Sequence, residues 1–410
     1  MQDPAPPSVL DGPYAWRRLA VSLLAGTIGN VGMWAVIMVL PAVQAEFGGG
    51  RADASLPYTL TMAGFAAGNL LIGRWVDRWG ATAVLIAAAL ALGACFTAAA
   101  AAPSAWMLAA LHLPLGFATA ASFAPLIADV SHWFIRRRGI AVAAVASGNY
   151  LAGAIWPMVF AGLMAAEGWR AVYAAFALLT SAGLIPLALM LRRRPPEEAH
   201  AAAETARAAV TSRASIPPAR LQILLGIAGL GCCIAMAMPQ VHIVALCVDL
   251  GYGAAAGAEM LSLMLAGGVL SRLLSGVLAD LLGGVRTLLI GSVLQCLALF
   301  LYLPFDGLAS LYMVSLVFGL AQGGIVPSYA VVVREYLPAK EAGARVGFVI
   351  MATIVGMAAG GWMSGWIYDL TGSYEAAFLN GIAWNVLNIA IMATLLLRSG
   401  GPAPRPAAVG

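Results

Sequence analysis

The chain has 410 residues, of which 62% are hydrophobic and only 10% are charged, and its net charge is +4. A soluble protein carries about 25% charged residues, so this composition excludes a soluble globular fold and places most of the chain in a lipid bilayer. The basic residues follow a membrane topology and give no nucleic-acid-binding surface. The sequence contains no nucleophile–base pair, metal-ligand cluster or phosphate-binding loop, so we expect neither an enzyme nor a bound cofactor or metal ion.

Apolar stretches separated by loop residues predict twelve transmembrane helices, each close to the roughly 20 residues that cross a bilayer. The first apolar run, Leu19 to Ala45, contains no Asp, Glu, Lys or Arg and is too long for a cleavable signal peptide. The third and fourth spans are divided near Pro103, because one helix of about 50 residues does not fit a bilayer. The predicted spans are 18–41, 56–75, 81–101, 105–129, 139–163, 170–191, 220–245, 258–279, 287–305, 308–333, 345–367 and 374–397.

The basic residues predict the orientation of the chain. Of the 22 Lys and Arg residues, nineteen fall in segments that are cytoplasmic if the N-terminus is inside, Arg51 and Arg170 fall outside, and Arg272 lies within a span. We therefore expect a multi-pass protein of a bacterial inner membrane with both termini in the cytoplasm. The predicted organisation is a cytoplasmic segment 1–17, a six-helix half 18–191, a cytoplasmic linker 192–219, a second six-helix half 220–397 and a cytoplasmic tail 398–410.

A short motif repeats in the two halves. GRWVDRWG at 73–80 and GVLADLLG at 276–283 share the pattern G-x3-D-x2-G and lie 203 residues apart, each after the second helix of its half. Repetition at matching places indicates an internal repeat. The predicted fold class is therefore an all-α membrane protein of two pseudo-symmetric six-helix halves. The motif residues of interest are Gly73, Asp77, Arg78, Gly80, Gly276, Asp280 and Gly283.

GRWVDRWG resembles the loop signature of the major facilitator superfamily. DGPYAW at 11–16, HWFIRRRGIAVAAVASGNYLAG at 132–153 and SRLLSGVLAD at 271–280 resemble the monocarboxylate porters and their oxalate/formate antiporter relatives, the last through Arg272. The resemblance implies the twelve-helix major facilitator fold, transport of an organic anion, and motif residues that gate by contacts between helix ends. The chain departs from the group in having Gly268 where relatives often carry an acid, no lysine in the first span, and no basic residue between Arg345 and Asp369.

Arg272 is the clearest candidate for function. It lies 8 residues before Asp280, which places it roughly 12 Å from the inner end of its helix. Placing an Arg at the centre of a membrane helix costs about 3 kcal/mol of insertion free energy, so an Arg at this depth indicates a function or a partner. The alternatives are an Arg that snorkels to the interface or pairs with a carboxylate, for which Asp129 is the nearest candidate. We predict that Arg272 faces a central cavity and binds a substrate anion.

Other polar residues within the spans are candidates of two kinds. For the first kind two roles stay open, contact with substrate or hydrogen bonding between helices. These residues are Asn30, Trp34, Asn69, His112, Asn149, Tyr150, Gln322 and Tyr329. The second kind are candidates for the group that binds and releases a coupled proton, in order of preference His112, His242 and Asp129. A packing role for His112 and an interfacial position for His242 are the alternatives.

The sequence therefore predicts a secondary active transporter of a small organic anion, above all a monocarboxylate, working by alternating access. The expected partners are the anion, a proton for symport or a counter-anion for exchange, and membrane lipid, with no nucleic acid. A drug or metabolite exporter of the same superfamily is the first alternative, but it would usually carry a carboxylate in the membrane. A non-transporting membrane sensor is the remote alternative, and it would need an added signalling domain.

Overall fold

The computed structural model describes residues 10–134, 138–193, 217–304, 306–336 and 342–398, and all regular structure in these ranges is helical. Helices satisfy their own backbone hydrogen bonds, which the bilayer demands of any segment that crosses it. The helices are α1 (Pro13–Gly29), α2 (Val31–Phe47), α3 (Arg51–Trp79), α4 (Ala81–Ala100), α5 (Ala105–Thr119), α6 (Ala124–Ser131), α7 (Arg138–Met190), α8 (Pro218–Asp249), α9 (Gly253–Leu282), α10 (Gly284–Leu301), α11 (Leu308–Gln322), α12 (Ile325–Tyr336), α13 (Ala342–Thr371) and α14 (Glu375–Arg398).

These helices make twelve membrane crossings in the described part of the chain. Ten segments are long and apolar enough to cross a membrane, and three of them join consecutive helices: α1 with α2, α5 with α6, and α11 with α12. The 53-residue α7 supplies two crossings, because it bends at Gly168, whose φ of 81° lies in the left-handed region. The 29-residue α3 adds the remaining crossing and packs along α5 and α13. The predicted number of spans is confirmed.

Several predicted spans differ in detail from the observed helices. The predicted loop between the fifth and sixth spans is replaced by helix on either side of Gly168. The predicted span 18–41 is two helices, since α1 ends at Asn30, whose amide donates to Gly26 O at 2.8 Å and to Ser122 O at 3.1 Å. A short 3₁₀ turn, Ala120–Ser122, likewise separates α5 from α6. Hydrophobicity alone does not distinguish a broken span from a continuous one.

Helices α1–α7 form one half and α8–α14 the other, and the halves repeat. Gly80 and Gly283, which occupy equivalent places in the two motifs, both have a φ of 84° and both turn the chain into the next helix. The halves meet where α3 packs on α13, α7 on α9, and α2 on α8. The predicted segments 1–17, 192–219 and 398–410 lie mostly outside the described residues, so the domain boundaries drawn there stay predictions.

Candidate functional site

Arg272 of α9 lies at the contact between the halves and is only 6% exposed. Its Cζ lies 4.1 Å from the centroid of the Tyr150 ring, a cation–π distance. Its Nη1 donates to Ala146 O at 2.6 Å and its Nε donates to Gly323 O at 3.3 Å. Among the described residues no carboxylate lies within 4 Å of this guanidinium. The result is a buried cation that contacts both halves and has no counter-charge within 4 Å in the described part of the chain.

Tyr150 of α7 reaches Arg272 because Gly268 has no side chain. A Cβ at Gly268 would lie 2.8 Å from two ring carbons of Tyr150, closer than real Cβ contacts allow. Gly268 is one helical turn before Arg272. The Arg272 guanidinium therefore contacts the aromatic face of Tyr150 at the place where an acid at position 268 would lie. This contact explains in physical terms why an acidic residue is absent from position 268.

Two glutamine side chains extend the site within the second half. Gln322, at the end of α11, accepts at Oε1 from Tyr150 OH at 3.2 Å and from Gln240 Nε2 at 2.9 Å. Both amides are buried, and Gln240 Oε1 and Gln322 Nε2 have no hydrogen-bond partner in the described structure. Gln322 was predicted from the sequence, whereas Gln240 of α8 was not. The only sequence signal for Gln240 is an amide within an apolar span.

Trp34 and Asn149 continue the site into the first half. The indole Nε1 of Trp34 donates to the backbone oxygen of Asn149 at 2.8 Å and to its Oδ1 at 2.9 Å. The Trp34 and Tyr150 rings lie 6.4 Å apart in an edge-on arrangement. We name the set formed by Trp34, Asn149, Tyr150, Gln240, Arg272 and Gln322 the central cluster. The structure thus brings together five of the residues that the sequence singled out.

Three other predicted contact residues lie elsewhere. The Asn69 amide donates to Phe65 O of its own helix at 2.8 Å, and Tyr329 OH donates to Asn388 Oδ1 at 2.8 Å inside the second half. Asn30 bonds to carbonyl groups of the first half, as described above. In each case the side chain donates to a neighbouring backbone or amide oxygen, while Asn30 Oδ1 has no partner in the described structure. Of the two roles left open for these residues, the described contacts of Asn30 and Tyr329 are bonds between helices, and that of Asn69 is a bond within its own helix.

The structure also keeps His112 and Asp129 apart from the central cluster. His112 is fully buried, with Nδ1 2.8 Å from Leu108 O and Nε2 3.0 Å from Tyr173 OH. Asp129 accepts two hydrogen bonds of 2.7 Å from the guanidinium of Arg18. Asp129 is therefore not a partner of Arg272. His112 has the packing environment that was its alternative, and proton coupling through either residue stays a prediction.

A charged contact joins the halves at the end where α3 begins and α8 and α13 end. Arg51 of α3 forms a salt bridge with Asp249 of α8. Asp369 of α13 accepts from the backbone amides of Arg51 at 2.6 Å and Ala52 at 2.9 Å, so a carboxylate lies at the N-terminus of α3. We name Arg51, Asp249 and Asp369 the latch. The sequence placed Arg51 outside the membrane and gave no sign of this role.

His242 lies close to the latch, near the end of the bundle, and its side chain is fully buried within the protein. Its Nε2 lies 2.8 Å from Gly361 O and its Nδ1 lies 3.2 Å from Tyr374 OH. The Tyr374 ring lies 4.4 Å from the Tyr368 ring, and the Arg51 guanidinium carbon lies 5.3 Å from the Tyr368 centroid. Aromatic contacts therefore connect His242 to the latch, not to the central cluster.

The repeated motif lies at the opposite end of the bundle from the latch. A Cβ at Gly73 or Gly276 would meet no described atom within 4 Å, so the helix surface there is open. The Arg78 guanidinium lies 6.0 Å from the ring of its neighbour Trp79. The side chains of Asp77 and Asp280 lie outside the described residues, and the gating role expected for the motif stays a prediction.

Twelve membrane crossings in two repeated halves, with a buried charged cluster at their contact, define the described part of the chain as a multi-pass membrane protein of the transporter type. The family model described as Major Facilitator Superfamily matches residues 22–270 and 223–410. The chain therefore belongs to the major facilitator superfamily of transporters.

Similar proteins agree with this assignment. The chain is 30% identical over 131 residues to the MFS-type transporter pynF of Aspergillus niger, covering 32% of this chain and 30% of that protein. It is 25% identical over 291 residues to monocarboxylate transporter 13 of Bos taurus, covering 70% of this chain and 67% of that protein. It spans between 30% and 53% of pynF and two other Aspergillus transporters.

A solved structure shares the fold. The crystal structure of a bacterial homologue of the human lysosomal transporter Spinster, in an inward-facing and occupied conformation, superposes with a TM-score of 0.73. The superposition covers 95% of this chain and 97% of that chain, at 13% sequence identity. At this identity the likeness shows the fold alone.

Proposed function

We propose that the protein carries a small monocarboxylate across a bacterial inner membrane by alternating access, coupled to proton symport or to exchange for another anion. The observation that carries this proposal is Arg272, a buried guanidinium with no carboxylate partner among the described residues. Removing a charge from water is costly unless an opposite charge meets it. A substrate anion supplies that charge, and its carboxylate matches the planar fork of donors on Arg.

The charge balance of the central cluster favours one carboxylate over two. Arg272 is the only basic residue of the cluster, and a monoanion forms a neutral pair with it. At 4 Å and an effective dielectric of 20 the attraction is about 4 kcal/mol. A dianion would keep a second negative charge away from water with no cation beside it. Monocarboxylate transporter 13 of Bos taurus, whose name states such a substrate class, is one of the similar proteins.

The alternative of a drug or metabolite exporter has less support in the cluster. An exporter for cationic or neutral substrates would be expected to place a carboxylate, not a guanidinium, in its binding site. Asp129, the acid considered for this depth, is paired with Arg18 instead. The positive cluster therefore favours an anionic substrate.

The position of the site suits alternating access. Arg272 bonds to Ala146 O of the first half and Gly323 O of the second, so a rocking motion of the halves changes its contacts. The latch joins the halves at one end, whereas Gly73 and Gly276 face open space at the other. With the predicted orientation, this arrangement is closed to the periplasm, and substrate reaches the site from the cytoplasmic side.

Coupling follows from the membrane potential. A monoanion that enters a negative interior loses about 2.3 kcal/mol per 100 mV, and a proton or an exchanged anion cancels that charge. Of the groups proposed for titration, His242 has the better setting, because its contacts lead to the latch. His112 is bonded within one half, and Asp129 is held by Arg18.

Radiolabelled uptake into proteoliposomes tests the proposal. The panel contains monocarboxylates, dicarboxylates, a neutral sugar and an organic cation, each with and without a pH gradient and with and without an internal anion. Uptake of monocarboxylates above that of empty liposomes, increased by either condition, is the expected result. Uptake of the cation or sugar with none of any monocarboxylate would contradict the proposal.

A further inference from the structure

We infer that Gln240 and Gln322 recognise a neutral hydroxyl group on the substrate, so that the preferred substrates are hydroxylated monocarboxylates. This inference rests on the proposed function, since it assumes that Arg272 holds the carboxylate. It adds a second recognition point, formed by two amides of the second half, and names the chemistry that fits it.

The two amides leave one carbonyl oxygen and one amide nitrogen without a hydrogen-bond partner in the described structure. Gln240 Nε2 donates to Gln322 Oε1 at 2.9 Å, and the remaining Gln240 Oε1 and Gln322 Nε2 have no partner in the described structure. Gln240 is 1% exposed and Gln322 is fully buried. If both amides were rotated, the same contact would form with the roles exchanged, and one carbonyl oxygen and one amide nitrogen would still remain. A buried amide left unpaired costs free energy that a ligand can recover.

Tyr150 fixes the position of this amide pair relative to Arg272. Its ring lies against the guanidinium at 4.1 Å and its hydroxyl donates to Gln322 Oε1 at 3.2 Å. One tyrosine side chain therefore separates the carboxylate-binding group from the amide pair. A small substrate that reaches Arg272 with its carboxylate can reach the pair with another part of the same molecule.

A hydroxyl is the group that matches the pair. One hydroxyl donates and accepts, so it serves the free carbonyl oxygen and the free amide nitrogen together. A keto group only accepts, and an ammonium only donates. A second carboxylate would bring a charge to a pair that carries none. A methyl group would leave both amide atoms unpaired, which is how a polar site rejects an analogue that lacks its hydroxyl.

Matched pairs of ligands test the inference by direct binding to the purified protein. The pairs are lactate and propionate, 3-hydroxybutyrate and butyrate, and 4-hydroxybenzoate and benzoate, which place the hydroxyl at increasing distances from the carboxylate. We expect the hydroxylated member of at least one pair to bind tenfold or more tightly. The preference should fall below threefold in Gln240→Met and Gln322→Met, because Met keeps the length of Gln without its amide.

Gln295→Met is the matched control. Gln295 is also a buried glutamine of the second half, but its Nε2 already donates to Cys232 O at 3.1 Å and it lies outside the central cluster. This variant should keep the preference for the hydroxylated member. If one glutamine variant fails to fold, the other single variant and the ratios of ligand affinities in the wild-type protein still test the inference.

The outcomes separate the two proposals. Equal binding of both members of every pair by the wild-type protein, or a preference that survives both glutamine variants, overturns the inference and leaves the proposed function intact. Failure of every carboxylate to bind overturns both.

Discussion

At the scale of single residues, Tyr150 presents its ring and its hydroxyl to different partners. The ring lies on Arg272, whereas the hydroxyl bonds to Gln322 Oε1, which also receives Gln240 Nε2. Loss of the hydroxyl alone therefore leaves Gln322 Oε1 with a donor. Loss of the ring removes the aromatic face from a buried cation.

Substitutions at Tyr150 should separate these two contributions. In Tyr150→Phe the ring remains, so affinity for a monocarboxylate should stay within about threefold of wild type. In Tyr150→Leu the guanidinium loses the ring that holds it in position, so binding should weaken by up to about 30-fold, the equivalent of a full cation–π contact of about 2 kcal/mol. Titration calorimetry on the purified variants measures both. Equal losses in the two variants would show that the ring does not support Arg272.

The sequence predicted the residues of the cluster unequally. Arg272 was evident because a charge in an apolar span is costly, and four polar or aromatic residues near it were also identified. Gln240 was not predicted, because an uncharged amide in an apolar span indicates a site only when its partner is known. That partner, Gln322, is 82 residues away. For Asn69 and Tyr329 the sequence left two roles open, and each side chain donates to a hydrogen-bond acceptor close by.

At the scale of helices, the interrupted crossings and the latch lie beyond what the sequence pattern predicted. The span count follows from apolar length alone. The break at Asn30 depends on Ser122, a residue of another crossing that the amide contacts. The latch likewise joins residues that are up to 318 positions apart in the chain. Both features are tertiary, and hydropathy carries no information about them.

Neutralising one latch carboxylate should loosen the closed end. Asp369→Asn weakens two hydrogen bonds to a helix N-terminus, and hydrogen bonds to charged groups contribute about 1.5 to 3 kcal/mol each. Thr59 lies about two helical turns from Arg51, and its hydroxyl donates to Ala358 O of the second half at 3.2 Å. A cysteine in its place should then react severalfold faster with a membrane-impermeant thiol reagent. The measurement uses a background in which the five native cysteines are replaced.

Glu46→Gln is the control for the latch. Glu46 forms a half-exposed ion pair with Arg170 inside the first half, so its loss should leave the reactivity at position 59 unchanged. The latch has no gating role if Asp369→Asn and Glu46→Gln give the same reactivity.

At the scale of the whole molecule, an even number of crossings puts both ends of the chain on one side of the membrane. The bias of basic residues predicts that this side is the cytoplasm. The latch then lies at the periplasmic end, and the repeated motifs lie at the cytoplasmic end. The direction assigned to the closed arrangement depends on this orientation.

A single labelled position tests the orientation. In the background without native cysteines, Gly400→Cys should resist an impermeant thiol reagent added to intact cells and react in inside-out vesicles. Arg170→Cys, predicted to be periplasmic, serves as the control and should behave in the opposite way. Reaction of the position-400 cysteine from the periplasmic side alone would reverse the topology.

The central claim is that Arg272 binds the substrate carboxylate, and equilibrium binding of a transported monocarboxylate to purified variants measures it most directly. Arg272→Gln removes an attraction of about 4 kcal/mol, so affinity should fall by at least about 100-fold while the melting temperature shows that the protein still folds. Arg272→Lys keeps the charge without the fork of donors and should lose most transport. Arg272→Gln that binds and carries monocarboxylates like wild type, or a dicarboxylate such as oxalate that outcompetes lactate in wild type, would contradict the account.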